Sequence, residues 1–313
     1  MAAMTPAMTH AAEPKTFKLA HMFAKGSLPD RTAEKFADSV AAKSRGSIQV
    51  KVLPEGLLGD ERENLAQLRK GILQFSITGD VVVSNIGDKY RVVNMPFLYH
   101  SPAHALEVYG GAFGDAIRAN IRQEGVEVLS WHYVGTRMLT ANKPIRTAAD
   151  LKGLLLRLPT DSAWVATWQA LGVEPRQVQF TELAAALKLG RVEAQENPPN
   201  FIRANRLYEN QRYLMATNHM PQRQMVLASG EFWRKLGEKD RHLLDAAARE
   251  ASDWATSRAI HEHKIDLAWL TREGGMTLIE FDRRGVVEAI AGVPAVLAGG
   301  EGDKIYQKIQ ALR

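Results

Sequence analysis

One arginine stands among leucines in "LLLRLP": Leu154, Leu155, Leu156 and Leu158 surround Arg157. On a strand covered on both faces, a charge there is costly unless it is paired and hydrogen-bonded. Its partner is either a carboxylate of the protein or the carboxylate of a ligand. A planar guanidinium with five donors suits bidentate capture of a carboxylate in a way that lysine does not. A second arginine, Arg137, lies on a strand pattern in "VGTRMLT". Further along, "GRVEAQENPPNF" sets Gln195, Glu196 and Asn197 directly ahead of Pro198 and Pro199. Alternation along a strand puts Gln195 and Asn197 on one face and Glu196 on the other. The prolines cannot continue a hydrogen-bonded ladder, so the strand ends at Asn197. Asn197 is then either a plain strand terminator or an amide that both donates to and accepts from a ligand. It would sit at the strand end where open α/β sheets bind ligands.

Other chemistries lack their parts. His100 and His104 in "HSPAH" are separated by Pro102, and His261 and His263 in "HEH" fall on different faces of a helix. Neither pair has the spacing of a zinc hydrolase, so no metal site is expected and these histidines read as solvated or hydrogen-bonded surface groups. The chain has no cysteine, which excludes thiol catalysis and disulfide staples. No nucleophile elbow, P-loop or dinucleotide fingerprint is present; the glycines of "YGGAFGD" have the wrong spacing and read as a loop or helix start. No cofactor is expected.

With 313 residues, the chain exceeds one ordinary core and fits two lobes of roughly 120–160 residues each. Its apolar fraction of 45% and charged fraction of 24% are typical of globular proteins. No run approaches the roughly 18 uninterrupted apolar residues of a membrane-spanning helix. A net charge of +5 leaves room for an anionic partner. The bases alternate with acids, however, and are not interleaved with aromatics, so nucleic acid is not supported. The first residues, "MAAMTPAMTHAAEPK", resemble the small-residue end of an export signal with cleavage near Ala11 or Ala12; the other reading is a cytosolic N-terminal tail.

The elements that must position these side chains follow from periodicity. Strand patterns over 16–23, 47–54 and 72–79 alternate with helix patterns over 29–46 and 59–71, a β-α-β-α-β run that predicts a mostly parallel sheet flanked by helices. After a change-over near residue 135 a second series follows. It comprises a strand-rich stretch over 126–145, a short helix and strand over 149–160 and a helix over 161–172. An extended piece over 173–178, a helix over 180–190 capped by Thr181, and the strand ending at Asn197 complete it. "QRQMVLAS" is extended, and 238–275 reads as one helix long enough to run across both lobes. A strand over 275–281 and a helical region close the chain.

Together these residues resemble the substrate-binding proteins of TRAP transporters, the tripartite ATP-independent periplasmic carriers of organic acids. The resemblance rests on "AEKFADSVAAKSRGSIQVKVLPEGLLGDERENLAQLRKG" for one lobe. "GTRMLTANKPIRTAADLKGLLLRLP", "GVEPRQVQFTELAAALKLGRVEAQENPP" and "YENQRYLMATNH" carry it for the other. It implies an α/β clamshell of two lobes, each a mostly parallel sheet with flanking helices, joined by crossing strands and one long helix. The expected division is 15–134 plus about 223–262, and 135–222 plus about 263–313, with 1–14 as signal remnant or disordered tail.

The resemblance implies that Arg157 grips the ligand carboxylate, that Asn197 completes the grip, that Arg137 is a second ligand arginine and that Phe180 lines the cleft. Where some members carry a glutamate after the third strand, this chain has Gly79, so Asp80 or Glu61 would accept from ligand hydroxyls. Trp164, and less so Trp168, would wall the cleft, and His21 joins the ligand-facing candidates. The implied protein is a periplasmic receptor, not an enzyme. It would hand a small organic acid (sugar acid, keto acid or dicarboxylate) to membrane permease subunits. The rivals are a receptor for an ATP-driven importer or a sensor kinase, and an enzyme acting on a carboxylic acid.

Overall fold

The computed structural model describes residues 13–85 and 88–312; the export-signal reading falls on residues outside these. The chain begins β1 (Lys15–Ala20), α1 (Leu28–Lys43), β2 (Ile48–Leu53), α2 (Glu61–Arg69), β3 (Phe75–Thr78). Two 3-10 segments (Asp80–Asn85 and Asp88–Asn94), α3 (Pro102–Gly110) and α4 (Ala112–Gln123) lead into the long β4 (Val126–Ala141). Then come β5 (Leu155–Leu158), α5 (Ser162–Ala170), β6 (Glu174–Gln177), α6 (Leu183–Lys188), β7 (Ala194–Asn197) and α7 (Pro199–Ala204). A second long strand, β8 (Tyr213–Ser229), precedes α8 (Gly230–Lys235), α9 (Glu238–Arg272), β9 (Thr277–Ile279), α10 (Val286–Ala289) and α11 (Val293–Ala311).

Among the described residues the strands form one sheet in the order β2-β1-β3-β8-β4-β7-β5-β6, with β9 beside β8. The two ends, β2-β1-β3 and β7-β5-β6, are parallel within themselves. The two long strands cross between them antiparallel, to each other and to both ends. The sheet is therefore mixed where the sequence pattern predicts mostly parallel strands, because β4 and β8 belong to both ends. Their ladder is broken by register shifts between Tyr133 and Gly135 and between Arg137 and Leu139. Gly135 is needed at the first of these. Its φ is +133°, and a Cβ there would lie 2.8 Å from the Pro198 side chain.

The predicted elements recur with boundaries moved by a few residues. One cap differs. The chain enters α6 through a 3-10 turn, Phe180–Glu182, so Thr181 lies inside that turn and the α6 N-terminus has no side-chain cap. His104 also departs from the surface reading: it is buried on α3, and its Nε2 meets the Ile309 carbonyl at 2.9 Å.

The 35-residue α9 ties the sheet ends together. A row of small residues, Ala247, Ala248, Ala251, Ala255 and Ala259, is buried along it, which lets α1 and β4 approach closely. Its last turns place Leu270 in a separate cluster with Leu183, Leu187 and Ile202. On the α1 side, Glu250 takes Lys35 at 2.9 Å, Lys43 at 3.0 Å and Ser39 at 2.8 Å. Those hydrogen bonds hold its carboxyl down at about 2. A depressed carboxyl contributes stability that is complete above its unfolded value and lost as pH falls through its folded one. The cluster is partly exposed, so its worth is about 1 kcal/mol or less. Glu250→Gln should lower Tm slightly at neutral pH, and the gap should close as melts are repeated down to about pH 2. A gap that persists in acid would mean the ion pairs are not its source.

Candidate functional site

A cleft opens where the crossing strands pass between the two sheet ends. β5 delivers Arg157 into it because Leu156 and Leu158, its alternate neighbours, are fully buried in the core on the opposite face. Arg157 is only 3% exposed. Its Nε donates to the Val178 carbonyl at 2.8 Å, and among the described residues neither Nη has a protein acceptor. Burial brings the guanidinium pKa down to about 10. This is a desolvated cation without its anion.

Asn197 closes β7 as the prolines require: Pro198 is extended and α7 begins at Pro199. Asn197 Nδ2 donates to Gln195 Oε1 at 2.6 Å, which places both on one face as alternation predicts. Asn197 lines the cleft with Arg157.

Arg137 also lines the cleft, but the protein has already answered its charge. Its Nε and one Nη bind the Glu196 carboxylate, that Nη also donates to the Glu196 carbonyl, and the other Nη donates to Gln222 Oε1. The Trp164 ring covers the guanidinium, 4.5 Å from ring centroid to Cζ. His219 Nε2 completes the set, 2.8 Å from Glu196 Oε2. Burial pushes the Glu196 carboxyl up, yet Arg137 and His219 outweigh it and the net shift is downward. Of the two arginines, Arg157 alone is left with donors in want of a charge.

Asp80 is likewise occupied. Arg223, on β8, donates to its Oδ1 from Nε at 3.0 Å and from Nη2 at 2.8 Å, and Gln222 Nε2 lies 3.2 Å from Oδ2. Asp80 borders the cleft, and within the protein its carboxylate is engaged by Arg223 and Gln222. Glu61 differs. The Gly79 N–H donates to Oε1. Burial, with Asp80 and Asp60 nearby, raises its carboxyl to about 7 against the pull of that N–H and of Arg157. A Cβ at position 79 would come within 3.1 Å of Glu61 Oε1. Gly79 therefore makes room for the Glu61 carboxylate.

Trp164 forms a wall of the cleft, whereas Trp168 is core, packed on Phe97 and His219. Phe180 lines the cleft beside Phe23 and Phe201. His21 is not among the lining residues: it is fully buried, with Nε2 3.2 Å from Asp30 and Nδ1 accepting from the Phe23 N–H. The ring turns toward α1 because Asp30 supplies the partner it needs in the core. Gln222 and Gln224 enter the site unannounced by the sequence reading. Their signal was the alternation in "QRQ", which puts both amides on one face of β8. Among the described residues no group of three or more acidic or histidine side chains is placed to hold a metal ion.

The sequence profile of DctP, the bacterial extracellular solute-binding protein family 7, matches residues 19–296. The chain belongs to this family. TRAP periplasmic solute-binding proteins of known structure share its architecture. The TRAP periplasmic solute-binding protein of a Polaromonas species, solved with bound D-erythronate, superposes with a TM-score of 0.90 at 28% identity, over 96% of this chain and 99% of that one. A solute-binding protein of Roseobacter denitrificans is 30% identical over 288 residues, 92% of this chain and 87% of the relative. An uncharacterized protein of Sinorhizobium fredii is 32% identical over 279 residues, 89% of this chain; of that longer relative the chain spans 51%. This family 7 chain is thus a two-lobed TRAP-type solute receptor and not an enzyme, and among the described residues no helix is long and apolar enough to cross a membrane.

Proposed function

We propose that this receptor works in the periplasm, captures a small organic acid by its carboxylate on Arg157, and delivers it to the membrane permease subunits of a TRAP transporter. The observation that carries the reading is the buried Arg157 guanidinium, whose Nη donors face the cleft without a protein acceptor. Asn197 offers an amide beside it, Phe180 and Trp164 supply apolar walls, and Arg137 borders the site with its charge held by Glu196. The lobes are residues 15–134 with about 223–262, and 135–222 with about 263–313. Gly135 and the broken β4–β8 ladder form the passage between them, and α9 spans both. Closure of the lobes around the acid removes water from the Arg157–carboxylate contact and strengthens it. The ligand shifts the open–closed balance only by its preference for the closed form.

A thermal-shift screen of ligand-free protein against sugar acids, keto acids, dicarboxylates and neutral sugars tests this. A ligand that binds only the folded state adds about 2.7 kcal/mol of stability at a hundred times its Kd. Organic acids alone should move the melt. A shift from neutral sugars with none from acids would overturn the reading.

Glu61 gives the binding a pH dependence. Its carboxyl titrates at about 7, next to Arg157. Once ionised, it competes with the ligand carboxylate for the same cation, while a bound anion raises its pKa further. Affinity should therefore fall as pH rises through about 7, and Glu61→Gln should flatten the profile. Titrations by calorimetry from acid to alkaline buffer read this directly; a wild-type profile as flat as the variant's would remove Glu61 from the site.

A further inference from the structure

The cleft contains three buried or half-buried cations and three anions among its described residues and their direct partners: Arg137, Arg157 and Arg223 against Glu196, Asp80 and Glu61. Two of the cations are committed. Arg137 is closed by Glu196 and Arg223 by Asp80, both pairs inside the protein. The third cation, Arg157, has no anion bonded to it, and Glu61 is the one acid of the three that no arginine holds. A single ligand carboxylate on Arg157 therefore balances the site when Glu61 carries its proton. A second carboxylate would bring a charge with no counter-ion. His219 adds none, since burial first of all lowers its pKa. Arg62, the cation at the cleft mouth, is exposed beside Asp60 and donates to the Thr160 carbonyl at 3.3 Å.

The remaining lining asks for neutral polar partners. Gln224 is 1% exposed and lies across the β4–β8 ladder from His132, whose ring is its protein partner. Trp164 Nε1 is a buried donor without an acceptor. Gln222, by contrast, is spent: its Oε1 takes Arg137, and its Nε2 meets Asp80 and the Arg223 carbonyl. An orphaned donor and a protonatable acid, with the Asn197 amide on the same lining, match hydroxyl groups, each of which donates and accepts. None of them carries a positive charge to balance a second carboxylate.

We infer that this cleft selects hydroxylated monocarboxylates and rejects dicarboxylates of the same chain length. The inference rests on the reading of Arg157 as the carboxylate grip. Uncompensated like charge in a closed interface costs several kcal/mol, so the discrimination is one of charge count and not of size.

The test is calorimetry on the wild-type chain with pairs matched in carbon number: glycerate against tartronate, erythronate against tartrate, and gluconate against glucarate. In every pair that binds, the monocarboxylate should be tighter by about tenfold or more. Lowering the pH below the Glu61 titration should not abolish the preference. A dicarboxylate that binds as tightly as its partner, or more tightly, overturns the selection rule while leaving the carboxylate receptor standing. If all six acids are silent while neutral polyols of the same lengths bind, the rule and the carboxylate grip fall together. A gain-of-function variant gives an independent arm. Gln224→Lys supplies the missing cation and should move the preference toward the dicarboxylate of each pair. If that variant is folded and keeps the wild-type ratio, charge count does not set the selection.

Discussion

Arg157→Ala should weaken binding of the cognate acid by about 30- to 5000-fold, the range for removing one partner of a buried charged pair, about 2–5 kcal/mol. The free protein should not suffer. In the ligand-free state the guanidinium is held by one carbonyl acceptor, Val178, and burial lowers its pKa to about 10. Removing a desolvated charge that lacks a counter-ion relieves the fold instead of weakening it. Arg157→Met, which keeps most of the side-chain volume, should melt at the wild-type temperature or above it. This combination separates a ligand grip from a structural ion pair: lost affinity with preserved or raised Tm. A variant that loses both would mean that Arg157 has an internal partner after all. The site then exemplifies a stability–function trade, in which the free receptor tolerates an unanswered charge that the ligand later answers.

Asp80→Ala should do the reverse. Asp80 is the carboxylate that Arg223 holds through two nitrogens, and both side chains are about 1% exposed. Without it the Arg223 guanidinium stays buried with no carboxylate, beside the rings of Tyr99 at 5.0 Å and Tyr109 at 3.9 Å by centroid. Its Nη1 already lacks a partner. Stranding a buried charge costs about 3–5 kcal/mol, which corresponds to a fall in Tm of about 5–8 °C for a chain of this size. The double variant Asp80→Ala with Arg223→Met should recover most of that loss, because neither charge is then left alone. Thermal melts of wild type and the two variants measure it. A single variant with wild-type Tm and a selective loss of binding would place Asp80 among the ligand contacts.

The sequence exposed the parts of this site that break a local rule. Arg157 is one charge among leucines, and Asn197 is the last residue before two prolines, so both could be found from their neighbours. The division between Trp164 in the wall and Trp168 in the core followed from helical spacing only as an open choice. Partners distant along the chain were out of reach. Nothing near Arg137 announces that Glu196, 59 residues on, carries its counter-charge, and nothing near Asp80 announces Arg223, 143 residues on. Crossing strands create those contacts, and periodicity describes strands one at a time. For the same reason the sheet read as mostly parallel: β4 and β8 look like ordinary strands until their pairing is known. His21 shows the same limit: a histidine at a strand end suits a cleft or a buried acid equally, and only the placement of α1 brings Asp30 to it.

The central claim is that a ligand carboxylate is the missing partner of Arg157. It is tested most directly by a double cycle: the acid that gives the largest thermal shift and its primary amide, each titrated by calorimetry into wild type and Arg157→Ala. The account predicts that the acid binds wild type far more tightly than the amide does, and that this advantage disappears in Arg157→Ala. An advantage of the acid that survives the loss of Arg157 undiminished would contradict it.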